Sequence, residues 1–340
     1  MDRATFLKRL GATGMGLALG GIGFVPWARA DSGNLGRIAY QLGWIKNFQF
    51  AGDYMADYRR YYRRFDLDVD LLSGGPLINI EPTIVSGKAL IGQSMPDLMA
   101  NAVAKGAKLT CIGACYQRNV SAIISLARSP LAKPAEMVGK KIGIQLNNLV
   151  IWHAFLRLNR INPASITTVP VQYEFTPLVT GEVDGFFGEV IDDAVQLRTQ
   201  GIDIHCLLFA DFGYNMLTAT YEVAADSLTD RTKRAQLVAF MQGDLLGWRD
   251  TIQDPALAAK LTVDVYGRDN GLDLKRQEAS CRVANDFIVS ADTKAHGLFW
   301  MSPQNIEQTI AALAAGGVKA TPDLFTNEIL EEAYNGIRGL

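Results

Sequence analysis

Short apolar runs alternate with helix-periodic segments along the first third of the chain. The pattern predicts seven elements in turn: strand Leu35–Leu42, helix Asp53–Phe65, strand Asp68–Leu72, helix Ile80–Val85, strand Ala89–Ile91, helix Asp97–Lys105 and strand Leu109–Ile112. Strands that alternate with helices at this spacing are typical of right-handed βαβ units around a largely parallel sheet. The fold class indicated by the pattern is therefore α/β.

The same alternation begins again after residue 139. The segment Leu178–Gly185 repeats the arrangement of Ile84–Ile91, because in each a short helix ends at a glycine suited to a left-handed cap and a buried strand follows. This echo predicts two lobes of similar construction. The second series also contains strand Lys140–Gln145, helix Leu149–Leu158 and strand Thr167–Val171. The rest of the chain is predicted to be mostly helical, with helices Asp230–Thr251, Leu274–Ser290 and Pro303–Ala315.

Composition narrows the class of partner. The 340 residues are 49% hydrophobic, and 33 Lys and Arg face 35 Asp and Glu, for a formal net charge of −2. This apolar content excludes a disordered chain. The net charge is near zero, whereas a nucleic-acid-binding protein is expected to carry an excess of basic residues. A small molecule or another protein is the expected partner.

The N-terminal segment Met1–Ala30 is predicted to be an export signal. Basic residues precede the uncharged apolar stretch Gly11–Val25, and Ala28 and Ala30 provide the small side chains that signal peptidase requires. Cleavage after Ala30 would deliver the protein to a periplasm. Both the general and the twin-arginine export routes stay open, because Ala4 stands where the second arginine would be, and an uncleaved anchor helix is the alternative.

Neither a metal centre nor a catalytic constellation is indicated. The four cysteines do not form a disulfide framework, and the three histidines are scattered without zinc-like spacing. There is no nucleophile elbow and no pair of catalytic carboxylates. We therefore expect no metal, no cofactor and no enzymatic activity.

Candidate ligand contacts follow the predicted strands, because ligands of open α/β sheets bind at the carboxyl ends of the strands. The inventory there is aromatic and amide-rich with one carboxylate, and it suits a flat heterocycle with polar edges better than an anion. Two alternatives stay open: the aromatic side chains could belong to the core, and Glu189 could be solvated. The candidates are Trp44, Asn47, Phe50, Gln93, Ser94, Asn147 and Glu189.

Motifs along the mature chain resemble those of the periplasmic solute-binding proteins of ATP-binding-cassette importers. The resemblance is to the group similar to the binders of the thiamine pyrimidine precursor, which are related to the sulfonate, taurine and nitrate binders. The segments that carry it, in order, are Trp44–Asn47 with Ala51-Gly52, Phe65–Val69, Ser86–Lys88, Tyr116–Asn119, Gly139–Ile144, Leu178–Asp184 and Phe325–Leu330.

This resemblance implies a type II periplasmic binding protein, in which two βαβ lobes joined by two crossing segments close over a ligand. The lobes would comprise 31–117 with 218–340, and 118–217. The crossings are expected near Tyr116–Ile123 and Tyr214–Thr220, so Tyr116 and Tyr214 join the candidate ligand contacts. The implied partners are a small heteroaromatic ligand and the permease and ATPase of an importer.

The resemblance also implies roles for single residues. The pyrimidine binders are similar at Trp44 and Asn47 and have an acid matching Glu189, but they usually place a histidine where this chain has Phe50. Sulfonate, taurine or nitrate is the alternative ligand class, for which only Lys46 and Arg118 fall near the expected cleft. Riboflavin is also compatible as a ligand, and a pyrimidine synthase-like enzyme and a sensor without a transporter stay open as functions.

Overall fold

Two α/β lobes, each built on a five-stranded sheet, make up residues 34–337, which are the residues that the computed structural model describes. The predicted export signal lies outside this range. The strands are β1 (Gly36–Gln41), β2 (Leu67–Leu72), β3 (Ile91–Ser94), β4 (Leu109–Tyr116), β5 (Ser121–Leu126), β6 (Lys141–Ile144), β7 (Thr167–Pro170), β8 (Gly185–Glu189), β9 (Ile204–Leu208) and β10 (Thr218–Ala224).

The two sheets have matching topologies. Their strand orders are β2-β1-β3-β10-β4 in lobe 1 and β7-β6-β8-β5-β9 in lobe 2. In lobe 1 only β10 runs against its neighbours, and in lobe 2 only β5 does. Each sheet is therefore parallel except for one inserted strand, and the two lobes share one construction, as the echo in the sequence predicts.

The chain passes twice between the lobes. It leaves lobe 1 after β4 through residues 117–120 and returns between β9 and β10 through residues 209–217. The first crossing lies within the expected Tyr116–Ile123. The second overlaps the expected Tyr214–Thr220 but starts earlier, after β9 ends at Leu208, and it ends before β10 begins at Thr218. The two crossings are joined to each other: the Asn119 N–H donates to Asn215 Oδ1 at 3.1 Å, and Arg118 forms an ion pair with Asp211 at 2.5 Å.

Helices cover both faces of each sheet, and none within residues 34–337 is long and apolar enough to span a membrane. The bounds of α3, α5 and α12 agree with the sequence prediction, and α12 begins with Ser302 accepting from the Asn305 N–H at 3.2 Å. The helices are α1 (Ala51–Tyr58), α2 (Tyr61–Arg64), α3 (Ile80–Val85), α4 (Pro96–Ala104), α5 (Leu149–Leu158), α6 (Thr176–Thr180), α7 (Asp193–Thr199), α8 (Arg231–Gln253), α9 (Pro255–Leu261), α10 (Leu274–Ile288), α11 (Ala291–His296), α12 (Pro303–Ala315) and α13 (Glu328–Gly336).

One helix that is predicted to be continuous is interrupted in the structure. The segment Asp53–Phe65 forms α1 and the short α2 instead of one helix, because Arg60 between them adopts the left-handed conformation with φ 60°. The break turns Tyr62 towards α8, where its hydroxyl donates to Asp244 at 3.1 Å. Tertiary contact with a helix far along the chain decides this turn.

A predicted strand boundary is also wrong. The sequence pattern places Gln93 and Ser94 in the loop after the third strand, but they lie within β3, paired with Tyr221 and Thr220 of β10. The pairing strand is more than a hundred residues away in sequence, so the local pattern carries no signal for this extension.

A pair of acids lies in the core of lobe 1 because α1 and α8 approach closely. A Cβ on Gly247 would stand 2.2 Å from the Gly52 carbonyl oxygen, so only glycine permits this contact. Asp53 and Asp244 are both fully buried there, and the Tyr221 hydroxyl donates to Asp244 at 2.6 Å. Burial raises the pKa of Asp244 to about 6, and burial together with the Asp244 charge raises the pKa of Asp53 well above its ordinary value.

We expect Asp244→Asn to weaken the pH dependence of stability. Because the folded-state pKa of Asp244 is raised, its favourable contribution is complete below about pH 4 and is lost as the pH rises through about 6. Relative to the variant, the wild type should lose roughly 2–3 kcal/mol of unfolding free energy over that interval. Urea unfolding between about pH 4 and about pH 7 measures this. Asp269→Asn, at an exposed carboxylate, is the control, and equal pH slopes in all three proteins would contradict the expectation.

An ion pair connects the lobes away from the crossings. Arg276 of α10 in lobe 1 donates through Nε and Nη2 to Asp192 Oδ1 at 3.1 and 2.8 Å, immediately before α7 of lobe 2. Both side chains are only 27% exposed, so the pair is less screened than a surface pair. The pair thus links α10 of lobe 1 to the start of α7 in lobe 2.

Arg276→Gln should loosen the contact between the lobes. The variant leaves Asp192 without its cation beside two other acids, and a double-mutant cycle with Asp192→Asn should give a coupling energy of about 1 kcal/mol. Small-angle X-ray scattering should show a larger radius of gyration. Arg282→Gln is the matched control, because Arg282 pairs with Glu278 on its own helix. A coupling energy near zero with unchanged scattering would refute the role of the pair.

Candidate functional site

Lobe 1 presents aromatic and amide side chains after β1. Trp44 is 41% exposed, whereas Asn47 is buried and its Oδ1 accepts from the Gln49 N–H at 3.0 Å, which caps the 3-10 turn Phe48–Phe50. The cap fixes the backbone of the turn, so the Gln49 side chain projects from an ordered segment. Trp44 is thus partly exposed after β1, and Gln49 follows it in a turn whose backbone is fixed.

Lobe 2 presents an acid at the end of β8. Glu189 is the last residue of the strand, and its backbone N–H donates to Asp193 Oδ2 at 2.8 Å. This bond holds the first turn of α7 against the strand end. Glu189 itself is partly buried, so the interpretation that it is a fully solvated charge is not supported by its position.

The two lobes meet at these residues. Gln49 Nε2 lies 3.5 Å from Glu189 Oε2, at the long end of hydrogen-bond distance. The contact joins the loop after β1 to the end of β8, so the carboxyl ends of the two sheets face one another. We refer to the region around this contact as the cleft.

The acid in the cleft is strongly perturbed. Burial raises the pKa of Glu189 to about 8, with further contributions from the nearby charges of Asp193 and Asp192. Burial also raises the pKa of Asp193 to about 6. The neighbouring cation, Arg276, is held by Asp192 rather than by Glu189.

Two further candidates carry buried polar atoms that have no hydrogen-bond partner among residues 34–337. These atoms are Gln93 Nε2 in β3 and the Tyr116 hydroxyl at the end of β4. Burial, then the charges of Cys115 and Glu189, raise the pKa of the Tyr116 hydroxyl, so Tyr116 and Glu189 are close enough to interact across the lobes. Because buried polar groups normally have partners, a water molecule or another bound group would be needed to complete the hydrogen bonding of these two atoms.

The remaining candidates have partners within the protein. Phe50 is 1% exposed and packs in the core, and Tyr214 is buried edge-on against Phe209. The Ser94 hydroxyl donates to Glu81 at 2.6 Å, and Asn147 is hydrogen-bonded to the Tyr173 hydroxyl. As ligand contacts these four residues stay predictions.

Among residues 34–337, neither of the two cations expected near the cleft is paired with Glu189. Arg118, one of the two cations expected near the cleft, forms an ion pair with Asp211. Burial lowers the pKa of the second, Lys46, which disfavours its charged form. Within residues 34–337 no group of three or more His, Cys, Asp or Glu side chains is arranged to hold a metal ion.

Sequence reasoning did not select four residues that shape the cleft: Gln49, Asp192, Asp193 and Arg276. The run Glu189-Val190-Ile191-Asp192-Asp193 contains a usable signal, because an acid that is buried beside other acids has a raised pKa. Arg276 has no local signal, since its partner lies 84 residues away in sequence.

Two curated relatives are similar to this chain. The riboflavin-binding protein RibY of Chloroflexus aurantiacus is 24% identical over 307 residues, which cover 87% of this chain and 86% of that protein. A putative thiamine biosynthesis protein of Haemophilus influenzae is 21% identical over 155 residues, which cover 45% of this chain and 49% of the relative.

Solved structures identify the fold. The putative periplasmic sulfonate-binding protein SsuA of Methylobacillus flagellatus superposes with a TM-score of 0.62 at 14% identity, covering 89% of this chain and 95% of that one. Both binding proteins and an enzyme occur among the structures with this fold, so the fold alone does not determine activity. The model of the NMT1/THI5-like family matches residues 47–258, and the chain belongs to that family.

Proposed function

We propose that this protein is the periplasmic solute-binding component of an ABC importer and captures a small, flat heteroaromatic molecule between its lobes. The contact between Gln49 and Glu189 carries the proposal, because it brings a planar amide and a planar carboxyl group together from opposite lobes. Both groups can form in-plane hydrogen bonds to the edge of a ring. The partly exposed side chain of Trp44 would stack on that ring.

The proposed mechanism is a shift between open and closed forms. A ligand that contacts both lobes stabilises the closed form by its differential affinity, and the closed protein then docks on the permease. The proposed lobes, 31–117 with 218–340 and 118–217, would rotate about the two crossing segments. Export through the signal Met1–Ala30, cleaved after Ala30, is part of the same proposal.

The pyrimidine precursor of thiamine is the first candidate ligand. Trp44, Asn47 and Glu189 resemble the pyrimidine binders, and a putative thiamine biosynthesis protein is among the relatives. Riboflavin is the second candidate, because the relative that matches most of the chain is a riboflavin-binding protein. Sulfonates and nitrate are disfavoured by the ion pair that occupies Arg118 and by the partial burial that lowers the pKa of Lys46.

Isothermal titration calorimetry with the hydroxymethyl-aminopyrimidine precursor, riboflavin, taurine and nitrate tests the ligand class. We expect heat of binding from one of the two heterocycles and none from taurine or nitrate. Native mass spectrometry of freshly purified protein would reveal a retained ligand. Binding of taurine or nitrate in preference to both heterocycles would overturn the proposal.

Trp44→Ala should weaken binding of the responding heterocycle about 10-fold, because it removes a stacking face of roughly 1–1.5 kcal/mol. The free energy of unfolding should change little, since Trp44 is already 41% exposed. Tyr58→Ala is the matched control, because Tyr58 is an exposed aromatic residue at the far end of α1. Unchanged affinity in the Trp44 variant would place the ring of the ligand elsewhere.

A further inference from the structure

We infer that Glu189 recognises its ligand as a neutral carboxylic acid, together with Gln49, and therefore selects an uncharged ring edge that carries a hydrogen-bond donor beside an acceptor. This inference rests on the proposed function, since it concerns the same cleft. It specifies the chemistry of the solute more narrowly than a flat heterocycle does. It also changes the expected response of binding to pH.

The first argument is the distribution of charge around the acid. From its own lobe, Glu189 faces Asp193, which accepts its backbone N–H at 2.8 Å, and Asp192. The cation that approaches from α10, Arg276, gives both of its hydrogen bonds to Asp192. In the described part of the chain, Arg276 thus lies near three acids, Glu189, Asp192 and Asp193. It is hydrogen-bonded to Asp192 and not to Glu189.

The second argument concerns the groups that approach from lobe 1. Gln49 contributes an uncharged amide, and β4 contributes the Tyr116 phenol, whose hydroxyl has no partner within the described range 34–337. Neither group brings a positive charge towards Glu189. A partly buried carboxyl group flanked by two acids and facing neutral groups favours the protonated form. The pKa of about 8 agrees with this arrangement and makes the neutral acid the main form at pH 7.

Hydrogen-bond geometry then assigns the proton to one oxygen. Gln49 Nε2 donates towards Oε2 of Glu189, so Oε2 serves as the acceptor and Oε1 carries the O–H. A neutral carboxyl group therefore offers a ligand one donor and one acceptor in the same plane. An ionised carboxylate offers acceptors alone and would require two donors, as in a cationic amidinium group.

The ring edges that match a neutral acid belong to a defined class. An aminopyrimidine matches through a ring nitrogen that accepts and an amino N–H that donates, and a lactam or imide matches through its carbonyl and adjacent N–H. Anions are excluded because they lack the donor. Cationic edges are excluded because they lack the acceptor.

The decisive variant is Glu189→Gln, because a glutamine side chain presents the donor and acceptor of the neutral acid and cannot ionise. With whichever of riboflavin and the hydroxymethyl-aminopyrimidine binds, the variant should retain affinity within about 5-fold at pH 7. Wild-type affinity should fall about 10-fold for each pH unit above about 8, whereas the variant should follow only the ionisation of the probe itself. A loss of about 50-fold or more in the variant, with a flat wild-type profile, would overturn the inference.

Asp192→Asn provides a readout that a merely structural role would not change. The variant removes one acid beside Glu189 and frees Arg276 from its partner. Both changes favour the ionised form of Glu189, so the midpoint of the variant's pH profile should lie about one pH unit below that of the wild type. Glu278→Gln, which frees Arg282 on the outer face of α10, is the matched control and should leave the midpoint unchanged. A midpoint that does not move in the Asp192 variant would contradict the proposed charge environment.

A measurement without ligand separates the inference from the proposed function. In protein labelled with ¹³C at the glutamate carboxyl carbons, the Glu189 signal is assigned by its absence from Glu189→Gln and titrated. A midpoint near 8 supports the neutral acid even if neither probe binds, in which case the proposed ligand class fails. A midpoint near the ordinary value of about 4.3 refutes the inference, whatever the probes do.

Discussion

Each lobe is completed by a strand that the chain supplies immediately after crossing from the opposite lobe. β10 enters lobe 1 between β3 and β4, and β5 enters lobe 2 between β8 and β9. Both inserted strands hydrogen-bond on two sides, so neither sheet reaches its observed width until the chain has crossed. With the strands arranged in this way, the carboxyl ends of the two sheets lie opposite each other. The cleft lies between those ends.

Three acids, Asp244, Glu222 and Glu189, have hydroxyl or amide groups rather than cations as hydrogen-bond partners. Asp244 accepts from two tyrosines in the lobe 1 core, and Glu222 of β10 accepts from the Thr220 hydroxyl at 3.0 Å. Burial raises the pKa of Glu222 well above its ordinary value, as it does for Glu189. The acid in the cleft thus resembles Asp244 and Glu222 in having its pKa raised by burial, but it differs from them in being only partly buried.

The fold could be predicted from local signals, whereas the cleft could be predicted only in part. Gly87 and Gly181 both adopt positive φ, at 71° and 82°, at corresponding points of the two lobes, and each cap is visible in the sequence around it. The position of Glu189 after a buried strand is equally visible, but its approach to Gln49 spans 140 residues. The break at Arg60 likewise depends on the distant α8. Periodicity reports which face of an element is buried, but not which element buries it.

The paired crossings constrain how the lobes can move. Asn119 is hydrogen-bonded to Asn215, and Arg118 forms an ion pair with Asp211. The two connecting segments are therefore joined to each other. In the proposed opening and closing of the lobes, two segments joined in this way would bend together and favour movement about one axis. The same residues of the two lobes would then meet at each closure, so the connecting segments would align the two halves of the cleft before a ligand binds.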